Sequence, residues 1–174
     1  MPPTMLVSEM MPRHCCIVPE NREEKTTEGG LDVAGQGNFI TPFVASLTDL
    51  GIRVSLFVDP NLRQIEAAKR AGAPVVEIHT GAYHEACAST TNSRIKHELD
   101  LIRKAAAFAH SLGLEVHAGH GLTFHNVQPV AAIPELAELN IGHFLIGEAV
   151  FMSLAESVKE MKKLMADARM GGLY

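Results

Sequence analysis

Short apolar runs alternate with amphipathic segments along most of this 174-residue chain. Five runs predict strands, because buried parallel strands are apolar throughout rather than in alternate positions. They cover residues 14–18, 53–58, 75–79, 114–118 and 138–142. Between these runs, apolar residues recur at spacings of three and four, which is the period of an amphipathic helix. The pattern therefore predicts a parallel sheet covered by helices.

Four amphipathic segments predict helices, at residues 39–50, 62–68, 95–109 and 154–165. Gly51, Gly72 and Gly113 follow the first three at the position where a helix often ends in a positive φ. Residues 144–151 are ambiguous. They either continue the last strand or form a short helix whose first backbone N–H groups bind an anion.

Each predicted strand ends in polar residues, and ligands bind at that edge in both open α/β sheets and (β/α)₈ barrels. The pattern alone does not choose between a five-stranded sheet and part of a barrel. A complete barrel needs eight units and roughly 250 residues, so this chain is too short for one. We expect residues 1–174 to form a single domain.

Composition and charge narrow the class of protein. A hydrophobic content of 47% with 20% charged residues is typical of a globular chain. The net charge of -5, without a basic stripe, argues against nucleic-acid binding. The apolar runs are too short to span a membrane, and the amino terminus lacks a signal-peptide pattern. Three cysteines without a CxxC pair favour the cytoplasm.

The chemistry-bearing residues cluster after the fourth predicted strand. His117, His120 and His125 lie within ten residues together with glycines, and Gly121 would let a ligand approach the backbone closely. Histidine changes charge near neutral pH, although a histidine at a strand end is more often structural. Glu77 lies inside an apolar strand, on the same face as His79. It is either half of an internal ion pair or a carboxylate that faces a substrate.

The last two loops favour a phosphorylated ligand. In barrels, the phosphate site is often built from the last two βα loops and a short extra helix, and here Gly121, Gly142 and His143 occupy those loops. A zinc site at His117, His120 and His125 is the weaker alternative, because no acidic residue lies in that segment and His117 would point differently from His120.

Together the motifs resemble the pyridoxine 5′-phosphate synthase family of vitamin B6 biosynthesis. The matching residues are 15–20, 26–33, 54–59, 77–81, 118–122, 125–127 and 139–143. The resemblance covers nearly the whole chain, with the motifs in the family's order. It implies a (β/α)₈ barrel and a homo-octamer that works without a metal or organic cofactor.

The resemblance also implies an activity and residue roles. The family condenses 1-deoxy-D-xylulose 5-phosphate with 3-amino-2-oxopropyl phosphate, giving pyridoxine 5′-phosphate, phosphate and water. By resemblance, Thr26 contacts the deoxyxylulose phosphate, Glu77 stabilises the transition state and His120 donates a proton. Gly121, Gly142 and His143 contact the aminooxopropyl phosphate.

Several family features have no counterpart in this sequence. The sequence lacks three features of the family's first barrel units: the Asn-x-Asp-His motif, the His-Leu-Arg motif and a strand glutamate that acts as a base. We therefore expect a partial barrel of about five units. Glu148 replaces a usual arginine, and His117 replaces a usual asparagine. The leading hypothesis is the family's synthase activity. The alternatives are a catalytically inactive remnant of that enzyme and, with less support, a metal-dependent barrel hydrolase.

Overall fold

The computed structural model describes residues 10–19, 29–88 and 91–171. Five parallel strands form one sheet in the order β1-β2-β3-β4-β5. They are β1 (His14–Ile17), β2 (Arg53–Val58), β3 (Val75–His79), β4 (Glu115–Gly119) and β5 (Leu136–Asn140). The helices are α1 (Gly37–Asp49), α2 (Leu62–Arg70), α3 (Gly81–Ala88), α4 (Asn92–Ser111), α5 (Val127–Ala131), α6 (His143–Glu148) and α7 (Leu154–Gly171).

The strand order identifies the kind of α/β fold. Every strand pairs with the next strand along the chain, so the connections always advance in one direction across the sheet. A doubly wound sheet reverses its order at a switch point, whereas a barrel does not. Because parallel connections are right-handed, successive crossovers place their helices on the same side. The predicted class is confirmed: five parallel β/α units form part of a barrel.

The two faces of the sheet have different roles. Val54, Leu56 and Val58 on β2 are fully buried in the core between sheet and helices, as is Ile78 on β3. The alternate side chains of the same strands, such as Glu77, point to the opposite face, which corresponds to a barrel interior. The helices pack on the first face, and the second face is left uncovered.

Helix ends follow the expected chemistry. Gly51, Gly72 and Gly113 have φ values of 76°, 85° and 71°, as predicted for glycines after helix ends. At the start of α2, the Asn61 side chain accepts a hydrogen bond from the backbone N–H of Arg63 at 2.9 Å, which is an N-terminal cap. The three glycines end their helices shortly before β2, β3 and β4 begin, and the Asn61 cap starts α2.

The structure differs from the sequence prediction at β5, α3 and α5, and it decides between two alternatives that the sequence left open. Strand β5 begins and ends two residues earlier than predicted, because α5 ends close to Leu136 and leaves no longer connection. The ambiguous segment after Gly142 forms the short helix α6. Helices α3 and α5 were not predicted, because both are short and contain small residues that give little amphipathic pattern. None of the helices described is long and apolar enough to cross a membrane.

Candidate active site

A cavity of about 750 Å³ lies on the uncovered face of the sheet. All five strands or the residues that follow them contribute to its wall. Five of the six residues singled out from the sequence line it, namely Glu77, His120, Gly121, Gly142 and His143. The sixth, Thr26, lies outside the described residues. The structure therefore brings together residues that are up to 66 positions apart along the chain.

Glu77 is buried near the middle of β3, and its two carboxylate oxygens differ. Asn140 Nδ2 donates to Oε2 at 2.7 Å, and the Cys16 thiol donates to the same oxygen at 3.4 Å. Within the described part of the chain, no donor reaches Oε1. Burial raises the pKa of Glu77, although the two hydrogen bonds oppose that shift. The sequence left two interpretations of Glu77, an internal ion pair or a carboxylate that faces a substrate. Among the described residues, Glu77 forms no ion pair.

Gly119 gives the Glu77 carboxylate its space. A Cβ added at Gly119 would lie 2.6 Å from Glu77 Oε1 and 2.7 Å from the Asn140 carbonyl oxygen. Both distances are far shorter than a normal contact between such atoms. The neighbouring strand therefore needs glycine at this position, and any side chain would displace the carboxylate or its support.

His120 has an unusual backbone. Its φ is 81°, in the left-handed region that few residues other than glycine adopt, although histidine tolerates it better than most. The buried Thr80 hydroxyl lies within hydrogen-bonding reach of the carbonyl oxygens of both Gly119 and His120 and shares its one hydrogen between them, which holds the turn. Strained backbone of this kind is concentrated at functional sites.

Gly121 continues the same turn with a φ of 76°. A Cβ here would lie 2.7 Å from the Cβ and Cγ atoms of His84 on α3. Glycine is therefore needed both for the backbone conformation and for the close packing of α3. This requirement is in addition to the ligand contact that the sequence suggested.

The His120 imidazole faces the cavity among other imidazoles. Burial lowers its pKa below the ordinary value, and the nearby His79, His84 and His143 side chains lower it further. The isolated site thus favours neutral His120 at neutral pH. A ligand phosphate would oppose this effect, because a nearby anion stabilises the imidazolium form. Protonation of His120 would then be coupled to the binding of an anionic ligand.

Gly142 and His143 form the rim of the cavity. Gly142 precedes α6, His143 is its first residue, and both are exposed. Their position beside His120 and Gly121 places the last two loops of the sheet at one end of the cavity. A ligand at this end would meet an imidazole and loop backbone beside the apolar side chains of Leu122, Ile141 and Phe144.

An ionic network lies toward the amino-terminal ends of the strands, and its Arg53 and His117 side chains also line the cavity. Arg53 and Glu115 form a salt bridge of 2.7 Å, and His117 Nε2 lies 2.8 Å from the same carboxylate. The hydrogen bond from Arg53, followed by that from His117, lowers the pKa of Glu115 to about 2. His117 is therefore held by an acidic partner, and it lies opposite Glu77 in the register of β3 and β4.

The zinc alternative gains no support from this arrangement. His117 is engaged with Glu115, His120 lies beyond the strand end, and His125 is exposed in the following turn. In the ranges that the structure describes, no three His, Cys, Asp or Glu side chains come together as metal ligands.

Sequence reasoning assigned no supporting role to the residues that hold the site. Asn140 and Cys16 bind Glu77, Thr80 holds the His120 turn, and Asp59 binds His79. One signal was available for two of them. Asp59 directly follows β2 and Asn140 ends β5, and polar residues at parallel strand ends gather at one edge of the sheet.

The fold and the cavity define the class of protein: a β/α-barrel protein with a carboxylate on one strand and an imidazole just beyond the carboxyl end of the neighbouring strand. Residues 3–167 match the family model described as pyridoxal phosphate biosynthesis protein PdxJ. The chain belongs to this PdxJ family.

Curated relatives carry a more specific name. The chain is 58% identical over 158 residues to a pyridoxine 5′-phosphate synthase of Ruegeria pomeroyi, covering 91% of this chain and 64% of that protein. It is 59% identical over 161 residues to a synthase of the same name from Coxiella burnetii, covering 92% of this chain and 66% of that protein. The chain thus spans somewhat less than two thirds of the length of these relatives.

A solved structure shares the fold at low sequence identity. It is the crystal structure of the Amycolatopsis orientalis BexX/CysO complex, with a TM-score of 0.67 and 14% identity. The match covers 97% of this chain and 60% of the other. At this identity the likeness concerns the fold alone, and it agrees with a partial barrel.

Proposed function

We propose that this chain carries the condensation site of a pyridoxine 5′-phosphate synthase. The reaction joins 1-deoxy-D-xylulose 5-phosphate and 3-amino-2-oxopropyl phosphate and releases phosphate and water. The observation that carries the proposal is the convergence of Glu77 and His120, from different strands, on one cavity. Family membership supports the same assignment.

His120 is the proton donor in this proposal. Imine formation and the dehydrations that follow need protons delivered to leaving oxygens, and an imidazole is suited to this near neutral pH. The fixed turn at His120 keeps its ring at the cavity wall. A substrate phosphate beside it would raise its pKa and so favour the protonated, donating form.

Glu77 is the residue that stabilises the transition state. Its Oε2 is held by Asn140 and Cys16, which leaves Oε1 for a cationic group that develops on the substrate, such as a protonated imine. Burial strengthens such an interaction, because the cavity is less polar than water.

The substrate contacts follow the family pattern. Gly121, Gly142 and His143 bind the aminooxopropyl phosphate at the rim, and Thr26 binds the deoxyxylulose phosphate. The substrates are phosphorylated small molecules, no metal or organic cofactor takes part, and the working form is a homo-oligomer, an octamer by family resemblance. These assignments belong to the proposal as a whole.

The direct test is turnover. The purified 174-residue chain is incubated with both substrates, and pyridoxine 5′-phosphate is measured by chromatography. Product that forms with the unaltered chain and not with the His120→Asn variant supports the proposal. Product that forms equally with both variants contradicts the role of His120.

One observation favours the second candidate, a non-catalytic remnant. Within the described sheet, strands β1 and β5 each pair on one side only, and such edge strands favour pairing with another chain over an independent site. A second arm of the experiment adds, as a separate polypeptide, the part of the Coxiella burnetii relative that this chain does not match. Turnover only in that mixture assigns this chain part of a site. No turnover in either arm supports the remnant.

A further inference from the structure

His79 is a buried histidine that the proposed reaction does not use. It ends β3, two residues after Glu77, and its side chain is 8% exposed. Its Nδ1 lies 3.0 Å from Asp59 Oδ1, whereas its buried Nε2 has no hydrogen-bond partner in the described part of the chain. Buried polar atoms without partners are uncommon and call for an explanation.

The His79 ring is packed against the ring of His120. The two ring centroids are 4.9 Å apart, with an interplanar angle of 64°. Phe57 closes a third side, 4.9 Å from His79 and 6.4 Å from His120. His120 therefore has an aromatic wall on the side of β2 and β3, and His79 forms the nearer part of that wall.

Gly81 permits this contact. A Cβ at Gly81 would lie 2.5 Å from His79 Nε2 and 3.4 Å from His120 Cδ2. The unpartnered nitrogen and the edge of the His120 ring thus approach the same point at the start of α3. A larger residue there would separate the two imidazoles.

Asp59 fixes the orientation of His79. One oxygen, Oδ1, accepts from the Gly30 backbone N–H at 3.0 Å and lies 3.0 Å from His79 Nδ1. The hydrogen bond with His79 is the main cause that lowers the pKa of Asp59, so the carboxylate stays charged. A carboxylate anchored to backbone on one side holds the imidazole in a single orientation, as in other oriented histidine pairs.

We propose that His79, oriented by Asp59, is a positioning residue that holds the His120 imidazole in the cavity. The neighbouring Thr80 holds the His120 backbone, so the end of β3 fixes both parts of the proton donor. The inference rests on the proposed role of His120 and concerns a residue to which that role assigns no chemistry.

The titratable groups around His120 come from three elements. His79 faces it from β3, His84 from α3 and His143 from α6, and Asp59 lies behind His79. The titration of His120 is therefore sensitive to His79 in the folded chain itself. This sensitivity permits a test that does not depend on turnover.

The test is a pH titration of the His120 ring signals by NMR, in the 174-residue chain labelled at histidine. In the His79→Phe variant we expect a measurable rise of the His120 pKa, because a neighbouring side chain that lowers this pKa is removed while an aromatic ring keeps the site buried. His97→Gln, an exposed histidine on α4, is the matched control and should leave His120 unchanged. An unchanged His120 titration in a folded His79→Phe variant would overturn the proposal.

A second variant decides the matter if His79→Phe does not fold. Asp59 is half exposed at the end of β2, so Asp59→Ala should leave the core intact. We expect the nuclear Overhauser contacts between the His79 and His120 rings to weaken severalfold, with a melting temperature close to that of the unaltered chain. Contacts of full strength in Asp59→Ala contradict the orienting role. Because both readouts are made without substrate, absence of turnover leaves them unaffected.

Discussion

The two ends of the cavity-facing side of the sheet hold ionisable groups in opposite ways. Toward the amino end, the Glu115 carboxylate pairs with Arg53 and with His117, which lies opposite Glu77 in the strand register. From the middle of β3 toward the carboxyl end, Glu77 has one oxygen with no donor in the described residues, and the His120 ring lines the cavity. We call the group of Arg53, Glu115 and His117 the closed network, because its charged side chains pair with one another. We call Glu77 and His120 the open network, because they keep polar atoms available to the cavity.

The difference shows which polar groups support the fold and which are available for chemistry. A closed network lowers the pKa of its acid and leaves little capacity for a ligand, as at Glu115. An open network has pKa values shifted mainly by burial, as at Glu77 and His120. Groups perturbed by burial in a cavity are typical of functional sites.

The largest expected effect comes from His120→Asn. Asparagine tolerates a positive φ, so the turn at this position should be kept while the proton donor is lost. We expect the rate of pyridoxine 5′-phosphate formation to fall by roughly 10² to 10⁴-fold, the usual contribution of a general acid. The exposed His125, in the same loop, provides the control His125→Asn, which should keep its rate. An equal loss of rate in His120→Asn and His125→Asn would contradict the assignment of the proton-donor role to His120.

Gly119→Ala should be the next largest effect, and it should disturb the open end only. The added methyl would meet Glu77 Oε1 and the Asn140 carbonyl, so we expect a loss of about 1–3 kcal/mol in the free energy of unfolding. Urea denaturation measures this loss. Gly37→Ala at the start of α1, where a Cβ meets nothing within 4 Å, is the matched control and should be neutral or slightly stabilising. A neutral Gly119→Ala would contradict the close approach.

Glu77→Gln tests whether the buried Glu77 carboxylate lowers the free energy of unfolding. Burial raises the pKa of Glu77, so at neutral pH the unfolded chain accommodates the ionised form better than the folded chain does. A glutamine of the same shape can still accept from Asn140 and avoids that cost. We expect a gain of about 1 kcal/mol, or about 2–4 °C in melting temperature. A lower melting temperature would show that Glu77 serves the fold rather than the site.

The smallest effect should come from the closed end. Glu115 has an ordinary pKa of 4.5 and a folded pKa of about 2, so its stabilisation is complete above the first value and is lost as the pH falls toward the second. Because the pair is partly exposed, the loss should be only about 0.2–1 kcal/mol.

Urea denaturation at several pH values between the two limits measures this contribution. The Glu115→Gln variant should show a flatter dependence over that range, whereas Glu98→Gln on α4 should follow the unaltered chain. Identical curves for Glu115→Gln and the unaltered chain would show that the network contributes nothing.

The sequence predicted the repeating scaffold well. Apolar runs placed four of the five strands to within one residue at each end, and Gly51, Gly72 and Gly113 marked the helix ends correctly. These features are local, since they depend on burial and on the conformation of single residues. The arrangement of consecutive strands as part of a barrel followed from the family resemblance rather than from the pattern.

The sequence did not predict what supports the site. The hydrogen bonds from Cys16 and Asn140 to Glu77 join β1 and β5 to β3 over separations of 61 and 63 residues. No local pattern reports such contacts, because they depend on the register between strands. The sequence also did not predict the left-handed backbone conformation of His120, because histidine only occasionally adopts it.

The most direct test of the central claim is a ligand titration observed by backbone NMR. Pyridoxine 5′-phosphate, the proposed product, is added to the uniformly labelled 174-residue chain, and the amide signals are followed. We predict concentration-dependent shifts at Gly119, Gly121 and Gly142 around the open end, with Arg53 and Glu115 unchanged. Shifts centred on Arg53 and Glu115, or no shifts at all, would contradict the claim that the carboxyl end holds the ligand site.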